Sequence, residues 1–275
     1  MVKKRADIYL VEAGLVSSRE QAQRLINGGK VFIDGRPVGK ASSLIEERSH
    51  VTILEEASYV SRGGLKLEKA LHKFGVNPGG KFTIDVGAST GGFTDCLLRH
   101  GAKTVVTIDV GYGQLAWSLR RDPRVIVMER TNIRYVKPED LPQLADIVTI
   151  DVSFISLKKI HGSIARLLEP DGRIIALVKP QFEAGRERLG KKGVVKDSRI
   201  HKDILNELWV FYEEEGMVIR SLTYSPIKGP EGNIEFLLYL SFNGVRTSHP
   251  DRARVIDDIV EEAHRELAGD QGPGM

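Results

Sequence analysis

Phe82-Thr83-Ile84-Asp85-Val86-Gly87-Ala88-Ser89-Thr90-Gly91-Gly92-Phe93 runs from a β-branched, apolar stretch into a glycine-dense turn. A short run of that kind, stopped by glycine, is the pattern of a buried strand. Glycines beyond it let the backbone come close to a ligand lying over the strand end. Three small residues, Ala88, Ser89 and Thr90, separate Gly87 from Gly91. The dinucleotide fingerprint allows only one residue between its first two glycines, so this turn does not fit it. Outward from here, apolar runs alternate with helical spacing. The pattern predicts strands over 82–86, 104–109, 125–128, 147–151 and 174–178, and helices over 65–74, 92–100, 114–120, 157–168 and 201–215. Such an order builds a parallel sheet covered on both faces. Two last strands, over 218–224 and 235–240, flank the turn-rich Ser225-Pro226-Ile227-Lys228-Gly229-Pro230-Glu231-Gly232-Asn233 and must pair antiparallel at the end of the sheet.

The composition bounds what the chain does. At 275 residues, 41% hydrophobic and 28% charged, it is long enough for one α/β domain and a small appendage. One cysteine, Cys96, excludes an intrachain disulfide framework, and its apolar neighbours mark it as core filler. The seven histidines show no ligand spacing, so no metal site is expected. No apolar run approaches the ~18 residues that cross a bilayer, and the charged start lacks a secretion signal. A cytoplasmic protein without membrane contact, a monomer or weak dimer, is expected. The net charge of +3 is uneven. Residues 1–81 hold 14 Lys/Arg against 9 Asp/Glu, and residues 82–275 hold 26 against 28. A basic small module on a near-neutral large one points to a polyanion held at one end.

Within that module, Ala6, Tyr9, Leu10 and Ala13 share one helix face ended by Gly14, and Ser18-Arg19-Glu20-Gln21 opens a second helix with a capping box. The second helix buries Ala22, Leu25 and Ile26 and stops at Asn27-Gly28-Gly29. An Asp34-Gly35 turn follows between two extended pieces, and Val51-Thr52-Ile53-Leu54 closes the module. Arg5-Ala6-Asp7, Gly14-Leu15, Ser18-Arg19-Glu20-Gln21-Ala22, Leu25-Ile26, Gly29-Lys30-Val31 and Asp34-Gly35 resemble the alpha-L RNA-binding motif. The resemblance covers about residues 3–60 and implies that Arg5, Arg19, Arg24, Lys30, Arg36 and Lys40 contact RNA phosphates. Contacts of that sort supply affinity and orientation without choosing a sequence.

In the larger part, an acid at the end of the second strand, Asp109, can accept hydrogen bonds from both hydroxyls of a ribose, and Asn132 follows the third strand. With the glycine turn, this fits S-adenosylmethionine better than NAD. The expected cofactor contacts are Asp85, Gly87, Ser89, Thr90, Gly91, Gly92, Phe93, Asp109 and Asn132. Four ionisable residues, Lys66, Asp151, Lys179 and Glu235, stand at or beside element ends on the carboxyl edge, where ligands of open α/β sheets bind. Singly, Lys66 reads as a solvated helix residue and Glu235 as an exposed strand end. Asp151 and Lys179 end buried strands, where an unpaired charge is costly.

Together the four resemble the Lys-Asp-Lys-Glu tetrad of FtsJ-type ribose 2′-O-methyltransferases. Longer stretches resemble the TlyA family: Tyr59-Val60-Ser61-Arg62-Gly63-Gly64-Leu65-Lys66-Leu67, Asp85 to Asp95, Asp109 to Leu115, Glu129-Arg130-Thr131-Asn132, Asp151-Val152-Ser153-Phe154-Ile155-Ser156, Val178-Lys179-Pro180-Gln181-Phe182-Glu183 and Gly193-Val194-Val195-Lys196-Asp197. This likeness implies a Rossmann-like S-adenosylmethionine-dependent methyltransferase domain over 61–270 behind a small α+β RNA-binding domain over 1–60. It also implies 2′-O-methylation of cytidine in ribosomal RNA of the large and, for some members, the small subunit, with ribosomal RNA and ribosomal subunits as partners. In that role Lys179 is either general base or stabiliser of the emerging alkoxide, held by Asp151 and Lys66, with Glu235 balancing charge. The linker Ala57-Ser58-Tyr59-Val60 lacks the arginine and tryptophan of some members. Two other readings are an RNA-binding assembly factor without turnover, which the intact tetrad opposes, and the pore-former that haemolysin labels in this family suggest, which the absence of an export signal opposes.

Overall fold

Residues 3–16, 18–27, 30–33, 36–46, 49, 51–53, 59–190, 193–242 and 252–267 are described by the computed structural model, and they divide between two units, Met1–Ser58 and Tyr59–Met275. In the first unit β1 (Lys3–Arg5) leads directly into α1 (Ala6–Glu12), followed by α2 (Arg19–Asn27), β2 (Val31–Ile33), β3 (Arg36–Pro37), β4 (Leu44–Glu46) and β5 (Val51–Ile53). β1 pairs with β4, and β2 lies between β3 and β5, all antiparallel. Ala6, Leu10, Ala22, Ile26, Val31 and Ile45 meet in its core. Ser18 Oγ accepts from the Gln21 amide at 3.2 Å, so the cap forms. α1 is shorter than its spacing suggests. It ends before Ala13, which is exposed, and Asp7 takes a place in the buried face. Gly28-Gly29, the Asp34-Gly35 turn, Leu54, Ala57, Ser58 and the side chains of Arg24 and Arg36 lie outside the described residues.

The second unit begins with α3 (Gly63–Phe74) and continues through β6 (Phe82–Val86), α4 (Gly92–Arg99), β7 (Thr104–Ile108), α5 (Trp117–Arg120), β8 (Val125–Met128) and β9 (Ala145–Ile150). Then come α6 (His161–Ala165), β10 (Leu168–Val178), α7 (Pro180–Glu183), α8 (Ser198–Glu214), β11 (Val218–Tyr224), β12 (Phe236–Ser241) and α9 (Arg252–Leu267). The strands form one sheet in the order β11-β12-β10-β9-β6-β7-β8. β6 to β10 are mutually parallel, and β12 runs antiparallel to both neighbours. The closing hairpin therefore inserts its second strand beside β10 and leaves β11 at the edge. Period-2 alternation sends Ile174, Ala176 and Val178 of β10 to one core and Ile175 and Leu177 to the other. α3 and α4 cover one face through Leu67, Leu71, Phe93 and Leu97. Ile164, Ile204, Leu208, Ile256 and Val260 from α6, α8 and α9 cover the other.

Two expected helices are cut short. The span expected as helix over 157–168 is a 3-10 turn (Leu157–Lys159), the five-residue α6, and the start of β10. β10 shifts register between Leu168 and Arg173, a span that contains Pro170, with no amide to donate, and Gly172. The helix expected over 114–120 begins only at Trp117, because Ala116 is extended. α9 was not anticipated, although Ile256, Val260, Ala263 and Leu267 recur at helical spacing and are buried.

Because β7 and β8 lie on one side of β6 while β9 and β10 lie on the other, a crevice opens at the carboxyl ends of β6 and β9. Beneath it Asp85 is fully buried, accepting from Thr94 Oγ1 at 2.6 Å and Thr149 Oγ1 at 3.2 Å. Burial, helped by the charge of Asp151, pushes its carboxyl up to about 7. A carboxyl raised above its unfolded value of roughly 3.9 holds its proton more tightly when folded. Its share of stability is therefore greatest below about pH 4, falls as pH rises toward 7 and is level beyond, a loss on the order of 4 kcal/mol. Asp85→Asn is expected to remove that slope, so that denaturant titrations of variant and parent diverge in the variant's favour between about pH 4 and pH 8. Parallel stability curves would show that Asp85 does not titrate in this window.

Candidate active site

The turn after β6 is shaped by two left-handed glycines, Gly87 at φ 83° and Gly91 at φ 96°. A Cβ on Gly87 would stand 2.5 Å from the Asp151 carbonyl oxygen, so only glycine lets the β6 and β9 ends touch. The Gly87 amide donates to Ile108 O at 2.8 Å and the Asp151 amide to Val86 O at 2.9 Å, which ties three strand ends together. A Cβ on Gly91 would strike Leu119 and Leu115.

Two adjoining cavities open above these strand ends. The larger, about 430 Å³, is lined among others by Asp109, Gly111, Asn132, Ile133, Val152 and Phe154. The carboxylate of Asp109, just past β7, accepts from the Ser89 amide at 2.8 Å and the Gly111 amide at 2.7 Å, so it also fastens the glycine turn. Asn132 Oδ1 accepts from the Arg134 amide at 3.1 Å and caps the 3-10 turn Ile133–Tyr135. Of the residues expected to meet a cofactor, Gly87, Ser89, Asp109 and Asn132 line this cavity. Thr90, Gly92 and Phe93 line the smaller one, and Gly91 and Asp85 line neither. Asp85 lies under the floor, its oxygens taken by Thr94 and Thr149.

The smaller cavity, about 260 Å³, gathers Lys66, Asp151, Lys179 and Glu235 from four elements or their ends. Lys66 Nζ pairs with Glu235 Oε2 at 2.5 Å, with side-chain exposures of 9% and 1%. Lys66 is thus a buried partner and not a solvated helix residue. Burial pushes the Glu235 carboxyl up, and the Lys66 ammonium beside it works the other way. Glu235 Oε1 is buried without a hydrogen-bond partner among the described residues, and a Cβ on Gly229 would come within 2.6 Å of it. Lys179 Nζ lies 2.7 Å from Asp151 Oδ1 and donates to Ser153 Oγ at 2.9 Å. The proximity to Asp151 is an ion pair without directed hydrogen-bond geometry, so Asp151 Oδ1 has no hydrogen-bond donor among the described residues. Gly87, Ser89, Asp151 and Ser153 line both cavities, so the Lys179–Asp151 pair stands where the two meet.

The structure adds Ser153 and Phe154 to the residues read from sequence. Phe154 sits at φ 64° with 90% of its surface exposed, its ring centroid 5.0 Å from that of Phe182. A left-handed bulky residue is strained backbone, held here by its neighbours. No period or composition signals it in the sequence. The carboxylate of Glu183 accepts from Ser156 Oγ at 2.6 Å and the Leu157 amide at 2.8 Å, which fastens this loop to α7 behind Lys179. In the first unit, Arg5 and Arg19 meet at Asp7, Lys40 is exposed and Lys30 is half-buried. The stretch Gly185-Arg186-Glu187-Arg188-Leu189-Gly190-Lys191-Lys192-Gly193 after α7 is basic and glycine-rich; Lys191, Lys192 and the side chain of Arg186 lie outside the described residues, and Arg188 pairs with Glu207 at 2.8 Å.

Comparison with known proteins agrees with this geometry. Residues 59–242 match the FtsJ-like methyltransferase family and residues 4–51 the S4 domain. YqxC of Bacillus subtilis (strain 168), provisionally named an rRNA methyltransferase, is 48% identical over 268 residues, which cover 96% of this chain and 95% of that one. The 16S/23S rRNA (cytidine-2′-O)-methyltransferase TlyA of Mycobacterium tuberculosis (strain ATCC 25618 / H37Rv) is 41% identical over 273 residues, 98% and 99% of the two chains. A solved structure from Streptococcus thermophilus, provisionally named a hemolysin, shares 42% identity and a TM-score of 0.74 over 98% of this chain and 99% of that one. With one family matched across most of its length and relatives similar from end to end, the chain belongs to the FtsJ-like methyltransferases, in the S4-bearing TlyA group.

Proposed function

We propose that the chain methylates the ribose 2′-hydroxyl of cytidine in ribosomal RNA, using S-adenosylmethionine. The observation that carries this reading is the meeting of the Lys179–Asp151 pair with both cavities, one shaped for a nucleoside and one lined by the four charges. The TlyA relatives named for this reaction support the choice of ribose and base.

The larger cavity suits the cofactor. Its volume falls in the range of small-molecule sites, a few hundred cubic ångströms. It offers the Asp109 carboxylate for ribose hydroxyls, the Asn132 amide for a base edge and Ile133 and Val152 as apolar walls. The left-handed Gly87 keeps the floor clear of side chains. When bound, S-adenosylmethionine supplies a methyl carbon on a sulfonium, a strong electrophile that needs no metal.

The protein's work is on the hydroxyl. A ribose hydroxyl is a weak nucleophile, and its proton must leave as the new carbon–oxygen bond forms. Lys179, paired with Asp151 and donating to Ser153, is kept at the site and stabilises the oxygen as negative charge develops. Asp151, which lines both cavities, gives the Lys179–Asp151 pair a carboxylate to take up the departing proton. Lys66 and Glu235, paired with each other, form the far wall and fix its charge at close to neutral. Residues 1–58, matched to the S4 domain over 4–51, hold the RNA by its phosphates while the second unit carries the chemistry.

Mapping 2′-O-methylation across ribosomal RNA from cells with and without the gene tests the assignment. Loss of methylation at one or more cytidines is expected, and identical maps would refute it. Lys179→Ala is expected to lower kcat by about 10²–10⁴-fold with cofactor affinity nearly intact. Near-parental turnover by this variant would remove Lys179 from the chemistry. Asp109→Ala should weaken S-adenosylmethionine binding about ten- to a hundredfold, since charge-assisted hydrogen bonds to the ribose are lost and the Ser89 and Gly111 amides are released. Titration calorimetry measures this directly, and unchanged affinity would confine Asp109 to holding the turn.

A further inference from the structure

Asp7 has no exposed surface, although it is an acid on the most basic part of the chain. A buried carboxylate at the start of a helix ordinarily takes the free backbone amides there. Asp7 does not. The amides of Ala6 and Asp7 are bonded to Ser43 O at 2.8 Å and Ala41 O at 3.1 Å. Every described donor to the carboxylate is instead a side chain. Arg5 Nε and Nη2 each reach it at 3.0 Å, Arg19 Nη2 at 3.0 Å and Gln23 Nε2 at 3.1 Å. The Arg5 guanidinium, above all, holds the Asp7 carboxyl well below the usual range.

This one anion draws together two cations from different segments, Arg5 at the end of β1 and Arg19 at the start of α2. Without it two guanidiniums so close would repel and spread over many rotamers. Their side chains remain about half exposed, at 45% and 54%. A guanidinium has five N–H groups in a planar fork, and Asp7 uses two of those on Arg5 and one on Arg19. The remainder matches the paired oxygens of a phosphate diester.

We propose that Asp7 is a positioning residue which locks Arg5 and Arg19 into a single phosphate-gripping pair for the RNA backbone. The proposal rests on the reading of the first unit as the RNA-holding one and assigns it a specific binding site. Two effects of Asp7 oppose each other. Its own charge repels a phosphate roughly 6 Å away, weakening binding by a factor of about three at the dielectric of water and by more at the lower effective dielectric of a protein surface, before salt screening reduces it. Pre-ordering two long side chains strengthens it by a factor of about ten or more, because each ordered chain otherwise loses rotamer freedom on binding. The proposal is that preorganisation exceeds this repulsion, and the sign of the Asp7 substitution tests it.

The test titrates full-length protein into labelled ribosomal RNA over a range of salt concentrations and follows methylation kinetics in parallel. Asp7→Asn adds net positive charge, so bulk electrostatics alone makes it bind tighter. The proposal requires the opposite: Kd raised about tenfold, a salt slope smaller by about one contact, and a raised KM for RNA with kcat unchanged. Binding equal to or tighter than the parent's overturns it. Should Asp7→Asn unfold the first unit in thermal melts, Arg19→Lys, which keeps the charge and loses the fork, replaces it. About a tenfold loss supports the site and parental affinity overturns it. Failure of the parent itself to bind RNA with salt dependence would instead bring down the reading of the first unit, and this site with it.

Discussion

The contact on which the catalytic unit depends is backbone against backbone. Gly87 lies so close to the Asp151 carbonyl that no side chain fits between them. That closeness lets the ends of β6 and β9 share a floor, and Gly87, Ser89, Asp151 and Ser153 face both cavities as a result. A methyl group between the two loops would push apart the strand ends whose residues the two cavities share. The reaction needs a donor and a hydroxyl brought together in line, and positioning of that kind carries several kcal/mol of a catalytic barrier, about 7–11 in the best intramolecular cases. Here it is arranged by a residue with no side chain.

The charges above that floor are stable only as pairs. An ion drawn out of water loses several kcal/mol of solvation, which a partner restores only at short range and good geometry. Lys66 and Glu235 satisfy this across a sequence separation of 169 residues, at 2.5 Å, with almost no exposure. The pairing is less complete at Lys179 and Asp151, whose contact is close but poorly directed and which keep more exposure, 13% and 21%. The better-satisfied pair makes a wall, and the less satisfied pair retains hydrogen-bonding capacity for a reacting group. Glu235 Oε1 lies beside Gly229 without a hydrogen-bond partner among the described residues, and burial pushes that carboxyl up.

Much of this was legible along the chain, and what was missed has a common cause. β6 and β8 begin and end where their apolar runs do, and Asp109, Asp151, Lys179 and Glu235 follow or precede strands as their positions in those runs imply. Lys66, taken singly, reads as a solvated charge, because nothing local announces a partner brought by the fold. Asp85 reads as a ligand contact by its place before the glycine turn, yet two threonines, one nine residues on and the other 64, turn it into a buried brace. The span expected as helix over 157–168 fails for a different reason. Its apolar spacing is real, but the register shift around Pro170 and Gly172 draws Leu168 into β10 and leaves α6 five residues long. Phe154 belongs to a stretch that resembles the family, but its left-handed backbone has no local signal; it lies between the Glu183 clamp on one side and the Lys179–Ser153 bond on the other.

The two units use one electrostatic device toward different ends. In each, a carboxylate stands against cations: Asp7 accepts from Arg5 and Arg19, and Asp151 pairs with Lys179. A free lysine or arginine on a protein surface carries about 2 kcal/mol of rotamer entropy that binding must overcome. An anion that orders the cation in advance removes that cost from the encounter, at the expense of some net charge. Guanidiniums suit the first unit, where a diester presents paired oxygens to a planar fork. An ammonium suits the second, where one ribose oxygen must be met by a compact charge. On the proposed reading of the two sites, the choice of cation follows the shape of the anion each would face, while the carboxylate behind it supplies the order.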